Sequence, residues 1–174
     1  MHVIRGPNRM YSLIIPVYKN EENLLELVEA LSDLNSSLGQ KLEVVLVVDG
    51  SPDRCYEILC NRLPLCSFKS KLILLARNFG AFSAIRTGLG EATGEYFAVM
   101  AADLQEPIEL IAQFFRSLET EPVDLVIGTR ESRRDSLLTM LFSRLFWTLY
   151  RKFVQKSVPA GGVDVFGCND AFRT

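Results

Sequence analysis

Five short apolar runs, each followed by a segment of different character, constrain this chain more than any other feature. YSLIIPV at residues 11–17 and LEVVLVVD at residues 42–49 are the clearest, and residues 71–75, 96–101 and 123–129 repeat the form. Apolar at successive rather than alternate positions and rich in β-branched residues, such runs suit parallel strands covered on both faces. Between them Leu24, Leu27, Val28, Leu31 and Leu34 make one helical stripe, and Ile111, Phe114, Phe115 and Leu118 make another. This β-α-β-α alternation, with right-handed crossovers, predicts an α/β fold: a doubly wound, mostly parallel sheet with helices on both faces. In such a sheet the ligand crevice lies at the carboxyl ends of the strands.

That rule singles out residues 18–22, 49–53, 77–80 and 103–107, together with Arg130. In MAADLQEP, residues 100–107, Asp103, Gln105 and Glu106 stand at a strand exit, with Pro107 placed to begin the next helix. Asp103 and Gln105 are candidate oxygen ligands for Mg²⁺ or Mn²⁺, hard cations that take one or two protein ligands and fill their shell with water and phosphate oxygens. The same acidic turn would equally serve a helix N-terminus by capping and dipole, and the loop alone leaves both readings open. In the DGSPD turn Gly50 permits a tight bend and Asp49 can accept hydrogen bonds from a base or ribose, although a turn without a ligand uses the same residues. Arg77 is placed to pair with an aspartate of the site, the favoured expectation, or with a diphosphate. Gly88, Gly90 and Gly94 lack the GxGxxG spacing and follow a helix, which argues against a nicotinamide dinucleotide.

A chain of 174 residues with 48% hydrophobic and 23% charged residues can bury the core of one domain, which excludes disordered and fibrous classes. Its net charge of −2 lacks the positive excess that binds phosphate backbones and argues against a nucleic-acid partner. The single histidine, His2, leaves little material for catalytic triads, HExxH sites or histidine general bases. Cys55, Cys60, Cys66 and Cys168 match neither zinc pairs nor a disulfide framework and read as reduced structural cysteines. Residues 1–10 carry Arg5 and Arg9 but no apolar stretch, and no run reaches the roughly 18 apolar residues of a membrane span. The expectation is a cytoplasmic chain, neither secreted nor integral to a membrane. Past Arg130, apolar residues from Leu137 to Phe153, with Arg144, Arg151 and Lys152 among them, predict a helix that either covers a core or lies on an anionic membrane surface.

Taken in order, IIPVYKNEENL (14–24), VVDGSPD (47–53), ARNFG (76–80), AADLQEP (101–107) and IGTRESRRD (127–135) resemble the family 2 glycosyltransferases. The resemblance is strongest to the branch of dolichol-phosphate mannose synthase and bacterial polyprenyl-phosphate sugar transferases. It implies the nucleotide-sugar-binding fold known as GT-A, with Pro16 and Tyr18 beside the base and Asp49 on the base or ribose. It further implies Asp103 and Gln105 on the metal and diphosphate and Arg130 on phosphate or sugar, so that Asp103 and Arg130 become the catalytic candidates. Asn20, Glu21, Arg77 and Ala102 complete the implied nucleotide-sugar site. Two departures stand out. Ala101 replaces an acid that the family usually carries, reducing the Asp-x-Asp metal motif to Ala101-Ala102-Asp103, and Asn20, next to Glu21, replaces another.

The family's catalytic domain continues past GGVDVF at residues 161–166, so residues 167–174 read as a cut end. The expected organisation is a leader at 1–10, a nucleotide-sugar-binding domain at 11–130, and at 131–174 the incomplete start of an acceptor-side, membrane-proximal region. The implied activity is inverting transfer from a nucleotide diphosphate sugar, with Mg²⁺ or Mn²⁺, to a polyprenyl phosphate or a cell-surface glycan precursor at the inner face of the membrane. Such a reaction belongs to cell-envelope polysaccharide synthesis. A phosphate acceptor is already ionised and needs no general base. The alternative is a non-catalytic nucleotide-binding or scaffolding domain, suggested by Ala101 and the missing segment. The apolar helix at 137–153 is then expected to self-associate or to meet anionic lipid.

Overall fold

The computed structural model describes residues 10–128 and 165–173. In β1 (Tyr11–Val17) and β2 (Leu42–Val48) every side chain is buried except that of the half-buried Pro16, the two-sided cover that unbroken apolar runs require. β1 pairs in parallel with β2, from Tyr11 opposite Leu42 to Val17 opposite Val48, and on its other side with β4 (Tyr96–Val99). β3 (Lys69–Leu74) adds a parallel outer strand beside β2. β5 (Leu125–Ile127) and β6 (Phe166–Asn169) complete a six-stranded sheet of order β3-β2-β1-β4-β6-β5.

Alternate strand residues face opposite cores. Leu13, Ile15, Val44 and Leu46 pack under α1 (Leu24–Ser37), α2 (Cys55–Arg62) and α4 (Ile108–Thr120), whereas Ile14, Val45, Val47 and Phe97 pack under α3 (Ala81–Glu91). Helices therefore cover both faces, as the alternation predicts. In α1 the buried residues include Leu24, Leu27, Leu31 and Leu34, each contributing roughly 1.5 to 3 kcal/mol by its burial. The helix stops at Gly39, whose φ of +66° suits the left-handed residue after a helix end, where its N–H donates to the Ser36 carbonyl. In α4 the expected stripe of Ile111, Phe114, Phe115 and Leu118 is buried. Pro107 is one place earlier than expected, serving as the N-cap with an extended ψ of 134° rather than as the first helical residue.

The simple alternation breaks at β6, which runs antiparallel between β4 and β5. Residues from beyond position 130 are thus integral to the same sheet as residues 11–127, and 167–169 form an interior strand that continues into the single turn of α5 (Asp170–Arg173). FGCN carries no strand signal because its glycine and asparagine are poor strand formers. Packing explains the glycine. A Cβ on Gly167 would lie 3.1 Å from Phe114 Cβ and 3.2 Å from Leu118 Cδ1, so α4 presses directly on the β6 backbone.

At the amino ends of the strands, Glu43 of β2 is fully buried. Its carboxylate accepts hydrogen bonds from the Ser12 hydroxyl at 2.7 Å, the Thr93 N–H at 2.7 Å and the Thr93 hydroxyl at 2.9 Å, and pairs with Lys69 Nζ at 3.0 Å. The Gly94 N–H in turn donates to Ser12 Oγ, and a Cβ on Gly94 would meet that oxygen at 2.7 Å. Burial pushes the Glu43 carboxyl up, but the bonds from the Thr93 N–H, Ser12, Lys69 and the Thr93 hydroxyl outweigh it and bring it down to about 2. A carboxyl lowered from 4.5 on folding stabilises the native state fully above that value and loses its contribution as pH falls toward 2. That contribution is about 3 kcal/mol by the free-energy equivalent of the shift. Urea melts of Glu43→Gln should show lower stability at neutral pH and a flatter loss between pH 5 and pH 2 than the parent chain. Parallel acid profiles for the two proteins would remove Glu43 from this role.

Candidate active site

The exits of β1, β2, β3 and β4 form one rim because each loop is tied to another. Asp49, the residue after β2, is 2% exposed, and its two carboxylate oxygens accept the Phe79 and Gly80 N–H groups, each at 2.8 Å. This fastens the loop between β3 and α3 to the end of β2. Gly50 is required where the loops touch: its φ is +56°, and a Cβ there would lie 2.2 Å from the Arg77 carbonyl carbon. The Lys19 N–H donates to Ser51 Oγ at 2.8 Å, joining the loop after β1 to the loop after β2. Asn23 Nδ2 donates to the Asp103 carbonyl at 3.4 Å, joining the loop after β1 to the loop after β4.

Left-handed backbone marks all four exits, at Lys19 (φ +55°), Gly50, Gly80 (φ +92°) and Leu104 (φ +53°). The conformation is easy for glycine and strained for lysine and leucine, and such strain gathers at sites whose surroundings hold it in place. The two glycines are visible as turn formers in the sequence. Nothing about Lys19 or Leu104 announces the same geometry.

Among the residues expected at a nucleotide site, Pro16 lies half-buried in β1 opposite Val47, and Tyr18 is 40% exposed with Lys19 Nζ 5.4 Å from its ring centroid. Asn20 accepts the Tyr18 N–H at 3.0 Å through Oδ1 and so shapes its own loop. Glu21 faces Arg54, taking its N–H at 3.0 Å and its Nε at 2.8 Å, and these bonds hold the Glu21 carboxyl below the usual range. Arg77 does not pair with an aspartate: among the described residues it has no carboxylate within ion-pair distance, and its guanidinium lies 4.7 Å from the Phe79 ring centroid. The cation–aromatic contact leaves the guanidinium on the exposed rim. Ala102 is buried at the exit of β4. Arg130 and the apolar stretch at 137–153 lie outside the described residues.

Asp103 is half-buried and accepts the Gln105 N–H at 3.3 Å through Oδ1; its Oδ2 takes no hydrogen bond among the described residues. Gln105 is exposed beside it, while Glu106 is turned inward and 8% exposed. Among the described residues no three Asp, Glu, His or Cys side chains converge on a cation position. The donor set fits a loosely held hard cation, with one carboxylate and an amide oxygen from the protein and the rest from water and a diphosphate. All four cysteines are free thiols, and burial followed by the neighbouring Asp53 pushes the Cys55 thiol up to about 11, so it remains protonated.

Ser51 and Asp53 fall within the strand-exit segment 49–53 without being singled out there, and Asn23 and Arg54 lie outside those segments, although all four hold the loops together. The one local signal was the Asp53-x-Cys55 spacing, which allows an aspartate to accept the N–H two residues on. The Asp49 bonds predict a stability cost independent of any ligand. Asp49→Ala should lower the unfolding free energy by about 2 to 4 kcal/mol in urea melts, because two N–H groups lose a charged acceptor, and Asp49→Asn should cost less. Unchanged melts would mean that the two bonds do not hold the rim.

Residues 12–174 match the sequence model of Glycosyl transferase family 2. Undecaprenyl-phosphate 4-deoxy-4-formamido-L-arabinose transferase of Edwardsiella ictaluri is 35% identical over 151 residues, covering 87% of this chain and 46% of that protein. Among solved structures, the mannosyltransferase PcManGT of Pyrobaculum calidifontis, in complex with GDP-Man and Mn²⁺, superposes with a TM-score of 0.69 at 20% identity, over 95% of this chain and 46% of that one. Glucosyl-3-phosphoglycerate synthase of Mycobacterium tuberculosis, in complex with Mn²⁺, UDP and glucosyl-3-phosphoglycerate, superposes with a TM-score of 0.63 at 17% identity, over 92% and 57%. At these identities the structural likeness speaks for the fold, which is GT-A-like. The chain spans about half the length of these relatives. On its sequence match, and in agreement with its fold, the chain belongs to glycosyl transferase family 2.

Proposed function

We propose that this chain carries the donor-binding half of an inverting glycosyltransferase that moves a sugar from a nucleotide diphosphate sugar to a polyprenyl phosphate at the cytoplasmic face of a membrane. The observation that carries this is the hydrogen-bonded union of four strand exits on one rim, with Asp49 and Asp103 on the loops after β2 and β4, the two strands that flank β1. The printed names of the relatives, a polyprenyl-phosphate sugar transferase and enzymes holding GDP-Man or UDP with Mn²⁺, support donor and acceptor classes of this kind. No helix among the described residues is long and apolar enough to cross a membrane.

In this proposal Pro16, Tyr18 and the Asp49 turn receive the nucleoside, and Arg77 on the rim meets the diphosphate. Asp103 and Gln105 hold Mg²⁺ or Mn²⁺, which when bound neutralises charge on the departing diphosphate. Arg130 shares that neutralisation from the following segment. The acceptor phosphate oxygen attacks the anomeric carbon opposite the leaving group, and the chain's own task is to align the two and keep water out. No base is needed because the phosphate is ionised at neutral pH. A nucleotide-binding domain without catalysis is the rival, and it draws on Ala101, which leaves Asp103 as the one carboxylate in the AAD triplet.

Calorimetry with UDP and GDP sugars, with and without Mn²⁺, followed by a transfer assay with a polyprenyl phosphate, separates the two. Donor binding that strengthens with Mn²⁺, together with transfer, is expected. Binding without transfer favours the rival. Asp103→Ala should abolish the Mn²⁺ dependence of donor binding while leaving metal-free binding in place; survival of that dependence would take the metal role away from Asp103.

A further inference from the structure

Between β2 and α2 lies a network that the proposed chemistry does not use. Asp53 is half-buried, and its Oδ1 accepts the Ser51 hydroxyl at 2.6 Å and the Cys55 N–H at 3.2 Å. Its Oδ2 accepts the Glu21 N–H at 3.3 Å and the Cys55 thiol at 3.2 Å. Burial pushes the Asp53 carboxyl up, yet the bonds from Ser51, Cys55 and Glu21 outweigh it and hold the group below its ordinary range. Ser51, having donated to Asp53, accepts the Lys19 N–H, so one carboxylate reaches both ends of the strained loop after β1. A 3₁₀ turn at Glu21–Asn23 follows, closed by the Asn23 N–H on the Asn20 carbonyl, and Asn23 then donates to the Asp103 carbonyl. Arg54 clamps the same turn through Glu21.

We infer that Asp53 is a positioning residue of the site: through Ser51 and the 3₁₀ turn it fixes the loop after β1, and through Asn23 it fixes the backbone at Asp103. Lys19 supplies the physical need. A lysine at φ +55° stays there only while its neighbours over-determine the loop, and its N–H bond to Ser51 is the restraint within reach. The inference rests on the proposed donor site for its functional consequence but not for its structural content.

Amide hydrogen exchange on the free full chain tests the structural content without any ligand. In Asp53→Ala the amides of residues 19–23 and of Gln105 should exchange about tenfold faster or more, the factor that loss of a hydrogen bond to a charged acceptor implies, while β2 amides stay protected. Ser51→Ala should reproduce the effect at Lys19, whose N–H Ser51 holds, with a smaller one at Glu21, which keeps its own bond to Asp53, and Ser51→Thr, which keeps the hydroxyl, should restore protection. The double variant should add little to Asp53→Ala, because the Ser51 relay depends on Asp53. Acceleration confined to residues 53–57 would overturn the inference and reduce Asp53 to a local cap of α2. With UDP and Mn²⁺ as probe, Asp53→Ala should weaken binding about tenfold while Cys60→Ser leaves it unchanged; equal affinity in Asp53→Ala would also overturn it. If the parent chain binds no UDP, the donor-site proposal fails, and the exchange pattern still decides whether Asp53 couples the two loops.

Discussion

A strand buried on both faces can carry polar chemistry only at its ends, and β2 carries a buried carboxylate near each. Glu43 lies near the amino end and Asp49 just past the carboxyl end, with five apolar residues between them. Neither can be left unpaired in such surroundings, since a lone buried charge is far more costly than a buried apolar group. Each is met by N–H or hydroxyl donors from a neighbouring loop: Thr93 for Glu43, Phe79 and Gly80 for Asp49. The two ends differ in consequence. At the amino end the carboxylate closes the sheet against α3, and at the carboxyl end it aims a loop at the rim where a ligand would enter.

The rim is built from loops that are individually weak and collectively defined. An exposed ion pair such as Glu21–Arg54 contributes little by itself, because water screens it and two long side chains must be ordered. Here Arg54 reaches both oxygens of Glu21 from its backbone and its guanidinium, and the Glu21 backbone is simultaneously held by Asp53. Several modest bonds that share residues resist displacement together, which is how a rim can keep Lys19 and Leu104 in backbone conformations that neither residue favours.

Asp103 stands on this scaffold as the one carboxylate of the Ala101-Ala102-Asp103 triplet. Buried Ala102 and half-buried Ala101 precede it, so the exit of β4 is shaped by packing up to the aspartate and becomes polar only there. In the proposed donor site one carboxylate would place less charge on a cation than two, and more of the charge compensation would fall to the diphosphate itself.

Much of this was legible in the amino-acid order. Runs such as LEVVLVV could satisfy neither water nor a one-sided sheet, and the stripes of α1 and α4 have one face to bury; these local demands determined the parallel core, the two helical layers and the strand exits where polar residues gather. What the order of residues left undecided depends on contacts between distant segments. FGCN becomes an interior strand because β4 and β5 leave a gap that only a close-fitting backbone can fill, and Gly167 allows α4 to approach it. Arg77 lies over the Phe79 ring, and both Asp49 oxygens accept backbone N–H groups from the same loop, an arrangement set by the fold and not by the order of residues. Asp53, ordinary in sequence, becomes the junction of two loops because the fold brings Glu21 to it and Lys19 to its neighbour Ser51. Hydrophobic periodicity is a property of neighbours along the chain and can be read there, whereas the partner of a polar group is chosen by geometry that exists only once the sheet has formed.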